Sequence, residues 1–194
     1  MKKTLLTIVL TVLICCTVMG TTLALLADKT TAIENTFTVG NIDITLTETG
    51  ADVNGKQSFK MVPGATLTKD PTVTVEANSE ACYLYIYVAE ANNTFGDPAE
   101  KYVTYTLDGW TELGNAYPGV YYRAVPSSAT AQTFSVFSGN VVKVSNKITK
   151  SQADALNAVG AQLPTLTVTA FAVQSENTGT AAEAFGAVFA DYNS

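Results

Sequence analysis

Residues 82–88 read CYLYIYV, and their side chains alternate strictly between two kinds. The even-numbered positions hold the apolar residues Cys82, Leu84, Ile86 and Val88, and the odd-numbered positions hold tyrosines. Successive side chains of an extended chain point to opposite faces, so this period of two predicts a β-strand. Aromatic and β-branched side chains favour the same conformation. We therefore predict a strand whose aliphatic face, including the Cys82 thiol, lies in a core.

The same alternation recurs on both sides of this stretch. Turn-forming pairs such as Pro63-Gly64 and Asp108-Gly109 separate the alternating segments. Many short strands without crossover helices between them are typical of an all-β fold, and we predict an antiparallel, jelly-roll-like β-sandwich. The further strands that the pattern predicts lie at residues 42–46, 59–62, 73–77, 102–107, 120–125, 133–136, 141–148 and 166–173.

One or two short peripheral helices are predicted late in the chain, and a frayed C-terminal tail is the alternative to the second. Residues 149–159 begin with Thr149, a good N-cap, carry Ala and Leu at helical spacing, and stop at Gly160. Residues 180–190 are rich in alanine and place Phe185, Val188 and Phe189 on one face. We expect this apolar face to dock on the sandwich or on a neighbouring molecule.

The odd-numbered face of residues 82–88 carries Tyr83, Tyr85 and Tyr87. Tyrosine combines apolar area with a polar tip, so such a stripe is a candidate contact face for carbohydrate or protein. Large exposed aromatic patches are uncommon on monomers. The sequence therefore slightly favours the other interpretation, in which the chain's own C-terminal helix covers the stripe.

The chain contains no histidine, which removes the commonest general base and metal ligand. No Ser-His-Asp, Cys-His or HExxH site is possible, and Cys82 has no imidazole to activate it. Asn92, Asn93, Asp97 and Glu100 offer oxygen atoms in one loop, but not at the spacing of a known calcium motif. We predict that the protein is not an enzyme, with no catalytic residue, no metal and no cofactor.

The charge balance argues against nucleic acid as a partner. The formal net charge is −6, and Arg123 is the single arginine. Affinity for nucleic acid depends on clustered cations that neutralise phosphates, and this chain has no basic run.

The first 27 residues have the organisation of a secretion signal. Lys2 and Lys3 precede an apolar run at residues 5–19, and small residues follow Gly20. Cleavage is predicted after Ala24 or after Ala27, and an uncleaved membrane anchor is the alternative. We expect an extracellular or cell-surface protein that meets the membrane only through this signal. Residues 41–194 then form one domain of ordinary size.

Residues 35–48, NTFTVGNIDITLTE, change face at Gly40. Ile42, Ile44 and Leu46 occupy even positions, whereas Phe37 and Val39 occupy odd ones. A continuous strand would put these two sets on opposite faces. Gly40 is therefore a candidate hinge or bulge between two strands.

Several segments resemble the TasA/camelysin family of Gram-positive secreted proteins, in its clostridial branch. The resemblance spans nearly the whole chain and is most specific near the signal. The segments that carry it read ADKTTAIENTFTVGNIDITLTET, SFKMVPGATLTKDPTVTVEANSEACYLYIYV, DGWTELG, GVYYRAV and PTLTVTAFAVQ.

This resemblance implies a signal of the SipW-dependent type, removed by a dedicated signal peptidase, and a jelly-roll-like sandwich. The best understood family members form biofilm-matrix fibres in which the N-terminal segment of one subunit completes the sheet of the next. The corresponding donor here is residues 28–40, with Ile33, Phe37 and Val39 as anchors. Camelysin-like members are also described as metalloproteases, an activity that a chain without histidine does not inherit.

The sequence thus predicts a secreted structural protein that pairs head to tail with copies of itself. The alternative is a monomeric surface or secreted binding module for glycan or protein, whose N-terminal strand stays in its own sheet. The sequence leaves open whether a Lys–Asn isopeptide crosslink forms, because spatial pairing is not visible in it.

Overall fold

The computed structural model describes residues 40–52, 54–96 and 98–192. Strands dominate this part of the chain, and every strand pairing in it is antiparallel. The all-β class and the sandwich are confirmed. No helix among these residues has both the length and the apolar character needed to cross a membrane.

The described elements are labelled in chain order. The strands are β1 (Ile44–Thr47), β2 (Thr66–Thr68), β3 (Thr72–Val75), β4 (Cys82–Ala91), β5 (Thr94–Phe95), β6 (Glu100–Lys101), β7 (Val103–Thr104), β8 (Thr111–Glu112), β9 (Val120–Val125), β10 (Gln132–Ser135), β11 (Val141–Val144) and β12 (Thr165–Gln174). The α-helices are α1 (Lys150–Leu156) and α2 (Ala181–Val188).

The first layer of the sandwich is a sheet with the strand order β12-β4-β9-β8. Its centre is β4, which pairs with β12 along all ten of its residues, from Cys82 opposite Gln174 to Ala91 opposite Thr165. On its other side β4 pairs with β9, where Leu84 lies opposite Arg123. The stretch with the clearest alternation in the sequence therefore forms the best-paired strand.

The second layer consists of two three-stranded sheets that continue each other. Their orders are β1-β3-β10 and β2-β11-β7. The segments 66–75 and 132–144 run through both sheets, and backbone hydrogen bonds from Lys69 to Asn140 and from Val136 to Pro71 join them across the break. A 3-10 turn at Ser138–Asn140 adds residues on one side only, so the paired segments bend there as at a bulge.

The core between the layers is built from the alternating positions. Cys82, Leu84 and Ile86 of β4 are fully buried, and they face Val73 and Val75 of β3 across the sandwich. Burial raises the pKa of the Cys82 thiol, which keeps this side chain protonated and inert. The prediction that Cys82 is a small buried hydrophobic residue is confirmed.

Three of the predicted strands differ in the structure. The strand predicted at 141–148 is shortened to β11, Val141–Val144, because the chain turns at residues 146–147. Residues 59–62 form no strand, because no neighbouring strand offers them a ladder, and the surrounding loop satisfies its own backbone through turns centred on Asp52. The predicted strand at 102–107 is reduced to β7, Val103–Thr104, followed by a single bridge from Leu107 to Phe137. The predicted bounds 120–125 coincide with β9.

Helix α2 begins with a capping box and packs on the outer face of the first layer. The Thr180 side chain accepts a hydrogen bond from the Glu183 backbone, and the Glu183 carboxylate accepts one from the Thr180 N–H. Phe185 is fully buried, with its ring centroid 4.9 Å from that of Tyr85 and 5.8 Å from that of Phe171. Val188, predicted to share this face, is 58% exposed.

We expect Phe185→Ala to lower the free energy of unfolding by about 3–5 kcal/mol, because it opens a cavity in a closed aromatic cluster. Val188→Ala on the same helix is the matched control, and its effect should stay below about 1 kcal/mol, as for other exposed sites. Urea denaturation followed by tyrosine fluorescence measures both. Equal effects of the two variants would contradict the packing described.

Candidate functional site

The tyrosine face of β4 is an internal interface of the molecule. Tyr85 is fully buried, and its hydroxyl donates a hydrogen bond of 2.8 Å to the Ala181 carbonyl oxygen. Tyr83 donates to the carbonyl oxygen of Gly179 at 3.1 Å, and Tyr87 meets the Tyr192 ring edge-on at 5.0 Å. The C-terminal segment covers the tyrosine stripe. The prediction that the stripe is a free contact face for a partner is therefore wrong. The alternative interpretation, intramolecular cover, is the one observed.

The position predicted as a hinge lies at one end of the sandwich. Gly40 is exposed, and its φ angle is not in the left-handed region. A Cβ atom added there would come within 2.8 Å of the Glu80 side chain, which is exposed and would have to move aside. The Asn41 carbonyl oxygen accepts a 2.9 Å hydrogen bond from the Glu80 N–H, which fixes the chain at this point. Ala24, Ala27, Ile33, Phe37 and Val39 lie outside the described residues.

Strand β1 starts from this end and runs along β3. Ile42 and Ile44 are half-buried and pack against the core, as the even-numbered pattern predicts. Leu46 departs from the prediction, because its side chain is 39% exposed. The reason is its position at the mouth of a large groove that opens at the far end of β1.

This groove has a volume of about 1220 Å³ and an apolar floor. One side of the floor belongs to the second layer, with Leu67 of β2 and Val142 of β11. The other side belongs to the first layer, with Leu166 and Val168 of β12. Ile148, Ala153 and Leu156 close it near α1, and the loop that carries Phe59 and Met61 forms the remaining wall.

Two strand edges without a further partner strand border the groove. Among the described residues, β2 is the outermost strand of the sheet β2-β11-β7, and β12 is the outermost strand of the sheet β12-β4-β9-β8. Both contribute lining residues. An edge strand presents N–H and C=O groups that an added strand satisfies. The groove therefore combines apolar pockets with backbone groups suited to an extended peptide.

The mouth of the groove also carries a polar cluster. Lys69 Nζ donates to Glu48 Oε1 at 2.9 Å and to Oε2 at 3.0 Å, and the two side chains are 10% and 13% exposed. The same ammonium lies 5.7 Å from the centroid of the Phe59 ring. Gln57 Oε1 is buried and has no hydrogen-bond partner among the described residues. A buried acceptor without a partner is costly, so this atom is suited to an incoming donor.

The oxygen-rich loop at residues 92–101 does not form a metal site in the described part of the chain. Asn93 bonds the backbone of Val103, and Glu100 pairs with Lys147 at 2.7 Å. Asp97 lies outside the described residues. No group of three or more acidic or cysteine side chains positioned to hold a metal ion occurs among the described residues.

Comparison of the chain with models of known protein families, with curated proteins and with solved structures gives no match. The groove and its edges are therefore argued from their own geometry.

Sequence reasoning did not find the groove residues. The groove residues lie in or near predicted strands: Leu67, Val142, Leu166 and Val168. The period of two predicts the face of the strand on which a side chain lies, but it does not predict a gap beside that strand. The exposed apolar side chains Leu46 and Leu163 mark the mouth of the groove, but their exposure is visible only in the structure.

We expect Lys69→Met to lower the free energy of unfolding by about 2 kcal/mol, because it leaves the Glu48 carboxylate without its cation. This loss is smaller than the loss for a fully buried ion pair, because both side chains are partly exposed. The double variant Glu48→Gln/Lys69→Met should recover part of this loss, since no isolated charge remains. Chemical denaturation of four proteins, the wild type, Glu48→Gln, Lys69→Met and the double variant, measures the coupling. Additive losses would show that the two side chains do not stabilise each other.

The pH dependence of stability reports on the covered tyrosine. Burial, with smaller effects of Tyr83, Cys82 and Tyr122, raises the pKa of Tyr85 above its ordinary value of 10.0. Because the folded pKa is the higher one, the contribution of Tyr85 is fully present below pH 10 and is lost as the pH rises above it. Tyr85→Phe should cost roughly 1 kcal/mol at neutral pH and show a shallower loss of stability above pH 10. Identical slopes for the two proteins in thermal melts at alkaline pH would contradict this.

Proposed function

We propose that this protein is a secreted structural component of the cell surface or biofilm matrix that assembles into fibres. In this proposal residues 28–39 of one copy enter the groove of the next copy and extend its sheet. The observation that carries the proposal is the groove itself, with its apolar floor and its two unpaired strand edges. The signal sequence and the family resemblance support the same function.

The positions of the two ends favour a contact between different copies. The chain meets the domain at Gly40, beside Glu80, whereas the groove opens beside Leu46 and Glu48 at the other end of β1. Residues 41–47 cover about 20 Å in extended form. In this proposal the donor segment extends beyond Gly40 on the side opposite its own groove and pairs with another molecule. Such head-to-tail contacts are heterologous and do not close, so they grow into filaments.

The donor segment has side chains that match the groove. Ile33, Phe37 and Val39 all occupy odd positions, so one face of a strand would present them together to the apolar floor. Asn35 shares that face. Its amide N–H is a suitable donor for the buried, unpartnered Gln57 Oε1 at the polar mouth.

Two chains, one starting at Asp28 and one at Asn41, test the proposal by negative-stain microscopy. We expect filaments only from the longer chain. Monomers from both chains, with equal melting temperatures, would overturn the proposal and leave a monomeric binding module as the better function.

A matched pair of substitutions tests the groove. Leu163→Glu places a charge at its mouth, where the wild-type side chain is 56% exposed, so folding should be unaffected while assembly is reduced at least tenfold. Val159→Glu introduces the same charge at an exposed position that does not line the groove, and it should assemble normally. Equal assembly of both variants would place the contact elsewhere.

A peptide of residues 28–40 added to the chain that starts at Asn41 provides an independent readout. Binding to the groove should raise the melting temperature in proportion to the logarithm of peptide concentration. A peptide with Ile33→Asp and Phe37→Asp is the control and should produce no shift.

A further inference from the structure

A cluster at the base of the β5–β6 hairpin is separate from the groove and from the tyrosine face. Its centre is the carboxylate of Glu90, near the end of β4. Glu90 Oε1 accepts a hydrogen bond from Lys101 Nζ at 2.6 Å, and Glu90 Oε2 accepts one from Asn93 Nδ2 at 2.9 Å. One carboxylate thus bridges an amine and a carboxamide. The hairpin pairing of Thr94 with Lys101 holds these groups on adjacent strands.

The carboxamide of Asn93 is held rigidly. Asn93 is 3% exposed. Its Oδ1 accepts a 2.8 Å hydrogen bond from the Val103 N–H, and its Nδ2 donates to the Val103 carbonyl oxygen at 2.9 Å. The carbonyl of the side chain is therefore polarised by a backbone N–H that is already in place, which is the arrangement of an oxyanion-stabilising donor.

The Lys101 ammonium is held by its hydrogen bond to Glu90, whereas the rest of the side chain is partly exposed. The Lys101 side chain is 49% exposed, and its ammonium lies 6.0 Å from the Tyr105 ring centroid. Tyr105 also donates a 2.8 Å hydrogen bond to Glu90 Oε1. Burial raises the pKa of the Glu90 carboxyl, but the hydrogen bonds from Lys101, Asn93 and Tyr105 outweigh it, and the pKa is lowered overall. Glu90 is therefore ionised, and its Oε1, 2.6 Å from Lys101 Nζ, is the atom placed to accept a proton from that amine.

We propose that Lys101 and Asn93 form an intramolecular isopeptide bond, with Glu90 as the acid–base residue. This inference does not depend on the proposed fibre assembly. Its chemistry needs no cofactor and no reactant from outside the chain, and each of the required groups is within hydrogen-bond distance of Glu90.

The reaction is balanced within the cluster. Glu90 Oε1 accepts one proton from Lys101 Nζ, and the neutral amine attacks Cγ of Asn93. The negative charge that develops on Asn93 Oδ1 is stabilised by the Val103 N–H. Collapse of the tetrahedral intermediate breaks the Cγ–Nδ2 bond as Glu90 passes its proton to the leaving nitrogen, and Glu90 then takes the second proton from Nζ and remains protonated. The products are one Nζ–Cγ amide bond and one molecule of ammonia.

The bond would close the hairpin covalently at its base. The bond would close a covalent ring that contains residues 94–100. A hydrogen bond to Glu90 would connect this ring to β4. This adds a restraint at an edge of the molecule where β5 and β6 have only two residues each.

Trypsin digestion of the purified full domain, followed by mass spectrometry, tests the proposal. The only tryptic site between Lys69 and Arg123 is Lys101. With the isopeptide bond present, Lys101 is not cleaved, and a single peptide of residues 70–123 is recovered with its mass reduced by one ammonia. Without it, peptides 70–101 and 102–123 appear at their unmodified masses. The second result, after prolonged incubation of the folded protein, would overturn the proposal.

Three variants assign the roles. Lys101→Arg keeps the charge next to Glu90 but should abolish the mass deficit completely. Glu90→Gln should slow bond formation at least a hundredfold, and bond formation at the wild-type rate would rule out the assigned acid–base role. Lys147→Arg, which alters a lysine paired with Glu100 on the same hairpin, is the matched control and should retain the full deficit. Circular dichroism of each variant confirms that it is folded, so loss of the bond is not confused with loss of structure.

Discussion

The structure depends on the burial of β4 on both of its faces. Its even-numbered side chains fill the space between the two layers, and its tyrosines lie beneath α2 and the C-terminal turn. From Cys82 to Tyr87 the strand is paired on both edges and packed on both faces, so each neighbouring element is fixed relative to it. The positions of β12 and β9, and through β12 the position of the groove, follow from this one strand.

The groove exists because the two layers do not end together. At this end of the sandwich, β12 begins at Thr165. Strand β1 ends at Thr47, and the chain then enters the loop that leads to Met61. The apolar side chains at that end face a gap in the second layer that no described strand fills. A monomer that tolerates this much accessible apolar area in one place normally uses it for binding. The geometry is more specific than an apolar patch, because backbone groups of two strand edges border it.

The fold could be predicted well from local alternation, whereas the groove could not. The period of two in residues 82–88 and 120–125 predicts two strands, and both strands are present in the structure. Phe59 and Met61 alternate in the same way but form no strand, because alternation describes one chain and a ladder requires a second. Leu46 follows the inward pattern and is nevertheless exposed, since it lies at the mouth of the groove, where its own layer ends. Local sequence thus gives the direction of a side chain, and only the assembled layers give what lies in front of it.

The cover over the tyrosines has a consequence for the order of events in folding. Tyr85 is hydrogen-bonded to Ala181, ninety-six residues further along the chain, so the outer face of β4 stays open until at least residue 181 has been made. Contacts between such distant residues form late and slowly, because a long loop must close before they contribute. A chain of this kind remains incomplete while it is being synthesised. Until that cover arrives, Tyr83, Tyr85 and Tyr87 of β4 present an aromatic surface to solvent.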